Sequence, residues 1–185
     1  TDLAAAFKEM GDTVREESTI FYVPYEMASA PTFGYLEGEP VGHMWKMGRT
    51  GEIFDKHNVV LLRYADIILL RAEALNQIGQ TAEAITLLNQ VRARVELAPT
   101  EATSQNEVAL AILKERRLEL VIENNRFWDL KRYYNDDAKL TQHLNDQTDS
   151  AGNSFGIQTT VEKVLIPIPQ AELDVNPNMT QNPGY

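Results

Sequence analysis

Helical spacing of apolar residues dominates the middle of the chain, between irregular flanks. The first periodic stretch runs from about Val60 to Ile78 and is apolar nearly all round, so a central helix buried by other protein is expected. Arg63, Asp66, Arg71 and Glu73 interrupt it, so no window reaches the ~18 uncharged residues that a membrane span needs. Gly79 ends this helix. Thr81 is placed to N-cap the next, whose inner face reads Ala84, Leu88, Val91 and Val95, with Pro99 beyond its end. Ser104 and Glu107 form a capping box that opens a third helix through about Ile122. Phe127, Leu130 and Tyr134 line a short fourth.

The flanks read differently. Leu3, Phe7 and Met10 share one face of a short opening helix, and Ile20 to Val23 before Pro24 reads as extended. From Ala28 to Gly51, Gly and Pro recur among large apolar side chains, which predicts a long loop region. Residues 135–158 are polar and predict a solvated loop. Val164 to Pro169 is extended, because each proline pushes its predecessor out of the helical region. The organisation expected is a loop-rich segment over 1–58, a helical scaffold over 59–134, and a loop with an extended tail over 135–185. Within the scaffold, Ala72, Leu75, Gly79, Ala84, Leu88 and Val91 fit the spacing of one tetratricopeptide-like repeat, as well as that of a generic helical hairpin.

Charge and composition narrow the function classes. The net charge is −10 with 43% hydrophobic and 24% charged residues, a globular composition that argues against nucleic-acid binding and against adsorption to anionic lipid. There is no cysteine, which removes thiol catalysis and thiolate metal sites for these residues. His43, His57 and His143 fall in no zinc-binding frame, and no nucleophile, phosphate-loop or dinucleotide motif is present, so no enzyme is expected. No cofactor is expected. The oxygen-rich loop from Asp146 to Asn153 lacks the alternating calcium frame, which leaves calcium with weak support.

Two groups of residues carry the remaining chemistry. Leu110, Leu113, Arg117, Leu120 and Val121 share a helical face, so Arg117 interrupts an apolar stripe and needs a carboxylate. Glu73 and Asp66 are its candidate partners, with Arg116 beside it, in an ion-pair network that clamps helices together. The second group is aromatic: Trp45, with Tyr22, Tyr25, Phe33, Tyr35 and His43 in flanking loops. Flat rings suit the C–H faces of sugars; they also suit gap-filling between loops and helices. Trp45, Tyr35, Tyr22, Phe33 and His43 are the candidate ligand-binding residues.

Several blocks in order then carry a family likeness: Leu62-Arg63-Tyr64-Ala65-Asp66 to Asn76, Leu87 to Arg94, Ile112 to Leu120, Arg126-Phe127-Trp128-Asp129-Leu130-Lys131-Arg132, Leu165 to Leu173, and the closing Gln181-Asn182-Pro183-Gly184-Tyr185. Together these resemble the C-terminal part of the SusD/RagB family, most closely over 60–185. Gly11 to Arg15 weakly resembles that family's Asp-Pro-Arg segment, with Thr13 in place of Pro. Asn124 stands where a Gly is common, and Asn also tolerates the left-handed turn. The resemblance implies a mainly α fold of tetratricopeptide-like helix pairs with long irregular loops and few short strands. It implies a non-enzymatic surface lipoprotein on the outward face of the outer membrane, anchored only by an N-terminal lipid that this chain does not contain. Such a protein captures an oligosaccharide, or a peptide in the RagB branch, for a SusC-like TonB-dependent transporter. Family members are much longer, so the resemblance makes this chain a C-terminal portion.

Overall fold

A computed structural model describes residues 2–23, 38, 40–42, 61–148 and 152–185. It is mainly α-helical, with one pair of three-residue strands among the described residues. Backbone contacts divide the chain into two units, Thr1–Asp129 and Leu130–Tyr185.

The first unit contains α1 (Asp2–Met10), α2 (Thr13–Thr19), β1 (Ile20–Tyr22), β2 (Pro40–Gly42), α3 (Tyr64–Gln77), α4 (Thr81–Arg94) and α5 (Gln105–Glu119). It also holds the start of α6 (Arg126–Tyr134). The strands are antiparallel, with Phe21 opposite Val41.

Helices α3 and α4 form the expected hairpin, and α5 packs along both. Ala72 and Ala84 are fully buried and lack bulk, so the two backbones approach closely. Leu69, Leu88, Val91, Val108 and Ile112 complete this core. Gly79 makes the reversal at φ 82°, a left-handed conformation that costs glycine nothing and other residues about 1 kcal/mol or more. A smaller core joins Phe7 and Ala4 of α1 to Ile20 and Leu118.

Thr81 does not cap α4. Gln80 occupies the N-cap without a side-chain bond. The Thr81 hydroxyl instead donates to Oδ1 of Asn76 at 3.0 Å. Asn76 is buried, so its amide must be satisfied. Its Nδ2 donates to the Gln105 carbonyl at 2.8 Å, and Gln105 Nε2 donates back to the Asn76 carbonyl at 2.7 Å. One buried amide thereby links the end of α3 to the starts of α4 and α5.

The capping box forms as expected. The Glu107 N–H donates to Ser104 Oγ at 3.3 Å, and the Ser104 N–H donates to Glu107 Oε2 at 2.9 Å. The backbone bond from Ser104, helped by that from Thr103, holds the Glu107 carboxyl down to about 2.

The second unit overturns two loop expectations. Within the polar stretch, Asp137–Asn145 is a helix, α7. Asp136 caps it, accepting from the N–H groups of Ala138 and Lys139 at 2.9 and 3.2 Å. Only Leu140 is buried in it, too sparse an apolar pattern to show periodicity. In the tail, a 3-10 turn (Glu162–Val164) precedes extended residues, and Gln170–Val175 forms α8 rather than continuing extended. Pro169 supplies the non-helical N-cap that starts it.

The closing residues dock on the extended segment through side chains. Ile168 donates its N–H to Gln181 Oε1 at 2.8 Å and accepts from Gln181 Nε2 at 2.9 Å. Asn182 Nδ2 donates to the Ile166 carbonyl at 2.8 Å, and the Tyr185 hydroxyl donates to the Leu165 carbonyl at 3.0 Å. Gln181 thus acts as a strand neighbour would. Gly184, at φ 93°, lies where a Cβ would come within 3.1 Å of Glu162.

The capping box yields a direct measurement. In a carbon-detected NMR titration the Glu107 carboxyl is expected to have its midpoint at about 2. Ser104→Pro, which removes the N–H that donates to Glu107, should move that midpoint upward toward the ordinary glutamate range; an unchanged midpoint would contradict the assigned pairing.

Candidate functional site

A network of buried carboxylates and arginines occupies the centre of the first unit, organised on one stripe of α5. Val108, Ile112, Glu115, Arg116 and Glu119 recur at helical spacing and are all buried. Arg15 reaches Glu115 at 2.7 Å and Glu119 at 3.0 Å, and also pairs with Asp12 at the start of its own helix. Arg92 meets Glu115 at 3.0 Å and Arg94 meets Glu119 at 2.6 Å, both from the last turn of α4. Arg63, at the N-cap of α3, bonds Glu119 at 2.9 Å and Glu123 at 2.9 Å. Arg116 lies 2.8 Å from both Asp66 of α3 and Asp129 of α6.

Electrostatics keep Glu119 ionised. Burial alone would push the Glu119 carboxyl up, but the Arg63 hydrogen bond and the charges of Arg94, Arg63 and Arg15 outweigh it and hold it below the usual carboxylate range. Burial would likewise depress the Arg15 guanidinium, yet Glu115 and Asp12 raise it.

Arg116 and Asp66, two of the expected network residues, are therefore paired. Arg117 and Glu73 stand differently. The fully buried guanidinium is Arg116; Arg117 is half-buried and Leu110 is exposed, contrary to the expected stripe. Asp66 reaches Arg116 and not Arg117. Glu73 is half-buried and also engaged in an interaction. The physical reason is that the inner stripe of α5 runs through its charged residues, because arginines from α2, α3 and α4 neutralise them. A hydropathy pattern rejects such positions as buried. Arg15, Arg63, Arg92, Arg94, Glu115 and Glu119 are not among the ion-pair partners that the sequence names. The signals available were the Asp12-x-x-Arg15 pair and the Arg63-x-x-Asp66 pair flanking the first turns of α2 and α3.

A cavity of about 310 Å³ opens at the end of α5, lined by Leu3, Arg116, Arg117, Leu120, Val121, Ile122, Asn124, Asn125, Arg126 and Asp129. The chain reverses here, with Ile122 at φ 68° and Asn124 at φ 60°. Asn124 thus takes the left-handed conformation anticipated for it. The cavity's arginines are already committed: Arg116 to two carboxylates, and Arg126 Nη1 to the Leu113 carbonyl at 3.4 Å.

Of the aromatic candidates, Trp45, Tyr35, Phe33 and His43 lie outside the described residues, as does Tyr25. Tyr22 ends β1 and is 38% exposed. Its hydroxyl donates to Glu16 Oε1 at 2.5 Å, and Lys8 Nζ lies 5.0 Å from its ring centroid. The Glu16 bond raises the phenol above its ordinary value. No group of acidic and histidine side chains suited to a metal occurs among the described residues. Part of the oxygen-rich loop, 149–151, lies outside them.

The α3–α4 hairpin and the α5 charge hub define a helical scaffold with no chemistry of its own beyond ion pairing among the described residues. The sequence profile of the SusD family matches residues 23–185, and the chain belongs to that family. It is 37% identical over 140 residues to SusD-like protein P38 of Formosa agariphila, covering 71% of this chain and 25% of the relative. SusD-like protein P2 of the same organism is 32% identical over 139 residues, covering 69% and 26%. The chain thus spans about a quarter of the curated relatives it matches. Among solved structures, surface glycan-binding protein A from Bacteroides uniformis matches with a TM-score of 0.68 and 29% identity, over 98% of this chain and 39% of that one. A SusD homolog from Bacteroides thetaiotaomicron shares the fold, with a TM-score of 0.70 at 23% identity over 100% of this chain and 43% of that one.

The network predicts an acid-sensitive fold. Because Glu119 is held below its ordinary 4.5, its contribution is complete above that value and is lost as pH falls through the lower folded value. Urea midpoints should hold near neutrality and drop below about pH 4.5. Glu119→Gln should cost roughly 2 kcal/mol at pH 7, because Arg15 and Arg63 each lose one of their carboxylate partners, and should flatten the acid decline. A midpoint unchanged by the substitution would contradict this.

Proposed function

We propose that this chain is part of a SusD-type nutrient-binding protein that captures an oligosaccharide and delivers it to a SusC-like TonB-dependent transporter. The observation that carries the reading is membership of the SusD family over residues 23–185. The likeness across 98% of the chain to a protein described as surface glycan-binding supports a glycan as the nutrient class. The protein works at the outward face of the outer membrane, held there by a lipid anchor, and performs no chemistry on its ligand. Among the described residues no helix is long and apolar enough to cross a membrane, which is compatible with such anchoring.

In this reading Trp45, Tyr35, Phe33 and His43, with Tyr22 at the end of β1, supply the ligand surface. Rigid aromatic faces bind sugar C–H faces with little loss of side-chain entropy. Arg116 and Asp66, with Arg117 and Glu73 on the same helices, belong to the scaffold and do not contact ligand.

A second reading makes this chain the scaffold alone, with ligand held by other parts of the protein. Two observations favour it: the chain spans only about a quarter of its curated relatives, and Tyr22 is already engaged by Glu16 and Lys8.

Glycan-array screening of the purified protein, followed by calorimetry on the best ligand, separates these. Trp45→Ala is expected to weaken binding at least about fivefold, or ~1 kcal/mol. Glycan binding that survives Trp45→Ala and Tyr35→Ala unchanged would move the site elsewhere and favour the scaffold. Signal from a peptide pool with none from glycans would replace the oligosaccharide by a peptide.

A further inference from the structure

Two polar atoms on α2 take no part in the ion pairs of the hub. Arg15 Nη2 and Thr19 Oγ1 are both enclosed by protein, their residues 5% and 0% exposed. Neither atom has a hydrogen-bond partner among the described residues. The two residues are four apart on one helix, so they lie one above the other on the same face. The other nitrogens of the Arg15 side chain are used, Nε with Asp12 and Nη1 with Glu115 and Glu119. A threonine hydroxyl in a helix can donate to the carbonyl four residues back. Here that carbonyl, of Arg15, already accepts from Ser18 Oγ at 3.0 Å. A buried polar group left without any partner carries its full desolvation penalty, and native proteins rarely leave one so.

We infer that Arg15 Nη2 and Thr19 Oγ1 hold an ordered internal water between them. The chemistry of the site selects a neutral occupant. Asp12, Glu115 and Glu119 all converge on Arg15, so their charges repel a further anion, and the guanidinium repels a cation. The occupant must accept from Nη2 and exchange one hydrogen bond with a hydroxyl, which can donate or accept. Water does both, and two polar partners are enough to hold it in a closely packed interior.

Such a water carries the hub beyond its direct ion pairs. Thr19 ends α2 and is followed at once by β1, whose last residue is Tyr22. The water fastens the start of that strand to the guanidinium that Glu115 and Glu119 hold in place.

Thr19→Val keeps the shape of the side chain and removes the hydroxyl; Thr19→Ser keeps the hydroxyl. Oxygen-17 magnetic relaxation dispersion counts waters that remain inside a protein for longer than it takes to tumble. Thr19→Val should lower that count by one water, and Thr19→Ser should leave it as in the wild type. Urea midpoints separate a bridged hydroxyl from a stranded one. Replacing a stranded buried hydroxyl by a methyl group is neutral or stabilising, whereas replacing a bridged one strands its partner. The Thr19→Val midpoint should therefore fall. An unchanged water count, or a midpoint unchanged or raised, would overturn the proposal. A crystal structure of the wild-type protein supplies a test that needs no variant to fold. It should show a water within about 3 Å of both atoms. Arg15 Nη2 bonded directly to Thr19 Oγ1 or to another protein group would overturn the proposal as well.

Discussion

Two buried carboxylates on one helix, Glu115 and Glu119, organise the first unit. Neither can remain ionised away from water without cations at hand, and Arg15, Arg92, Arg63 and Arg94 arrive from three other helices to supply them. The position of each helix end is thereby tied to the hub. The hairpin must place Arg92 and Arg94 beside α5, the N-cap of α3 must present Arg63, and the short α2 must begin at Asp12 for Arg15 to point inward. Removing one arginine leaves a buried carboxylate under-compensated; replacing all of them together with the carboxylates by apolar residues would cost far less. Such a network therefore specifies an arrangement more than it adds net stability.

Apolar packing is correspondingly modest beside the charge hub. Leu118 joins Phe7, Ala4 and Ile20 in a small cluster, while Leu88, Val91 and Ile112 fill the hairpin's own core. The scaffold that results is rigid at the helix crossings. The proposed ligand residues lie outside this charge hub.

Much of the fold was legible in the residues. The hairpin turn at Gly79, the inner face from Ala84 to Val95, the capping box at Ser104 and the left-handed Asn124 all follow from local rules. Those rules depend only on neighbours within one turn. The misreadings share a cause. Thr81 was assigned to a cap, but a buried amide seventy-odd residues into the chain claimed its hydroxyl. Arg117 was assigned to the buried stripe, but the charges of neighbouring helices turned Arg116 inward instead. Helix α7 was read as loop because one buried leucine and an aspartate cap suffice to hold it.

The sequence by itself determined the class of protein, because family blocks, turn glycines and apolar periods are local properties written in order along the chain. It also determined that α3 is apolar nearly all round. Only the tertiary structure decided which of its faces is satisfied here and which is left open, and which of several arginines meets which carboxylate. Those outcomes depend on distances between residues 13 to 104 positions apart. No local pattern encodes them, since the energy of a buried charge is set by what surrounds it and not by what precedes it.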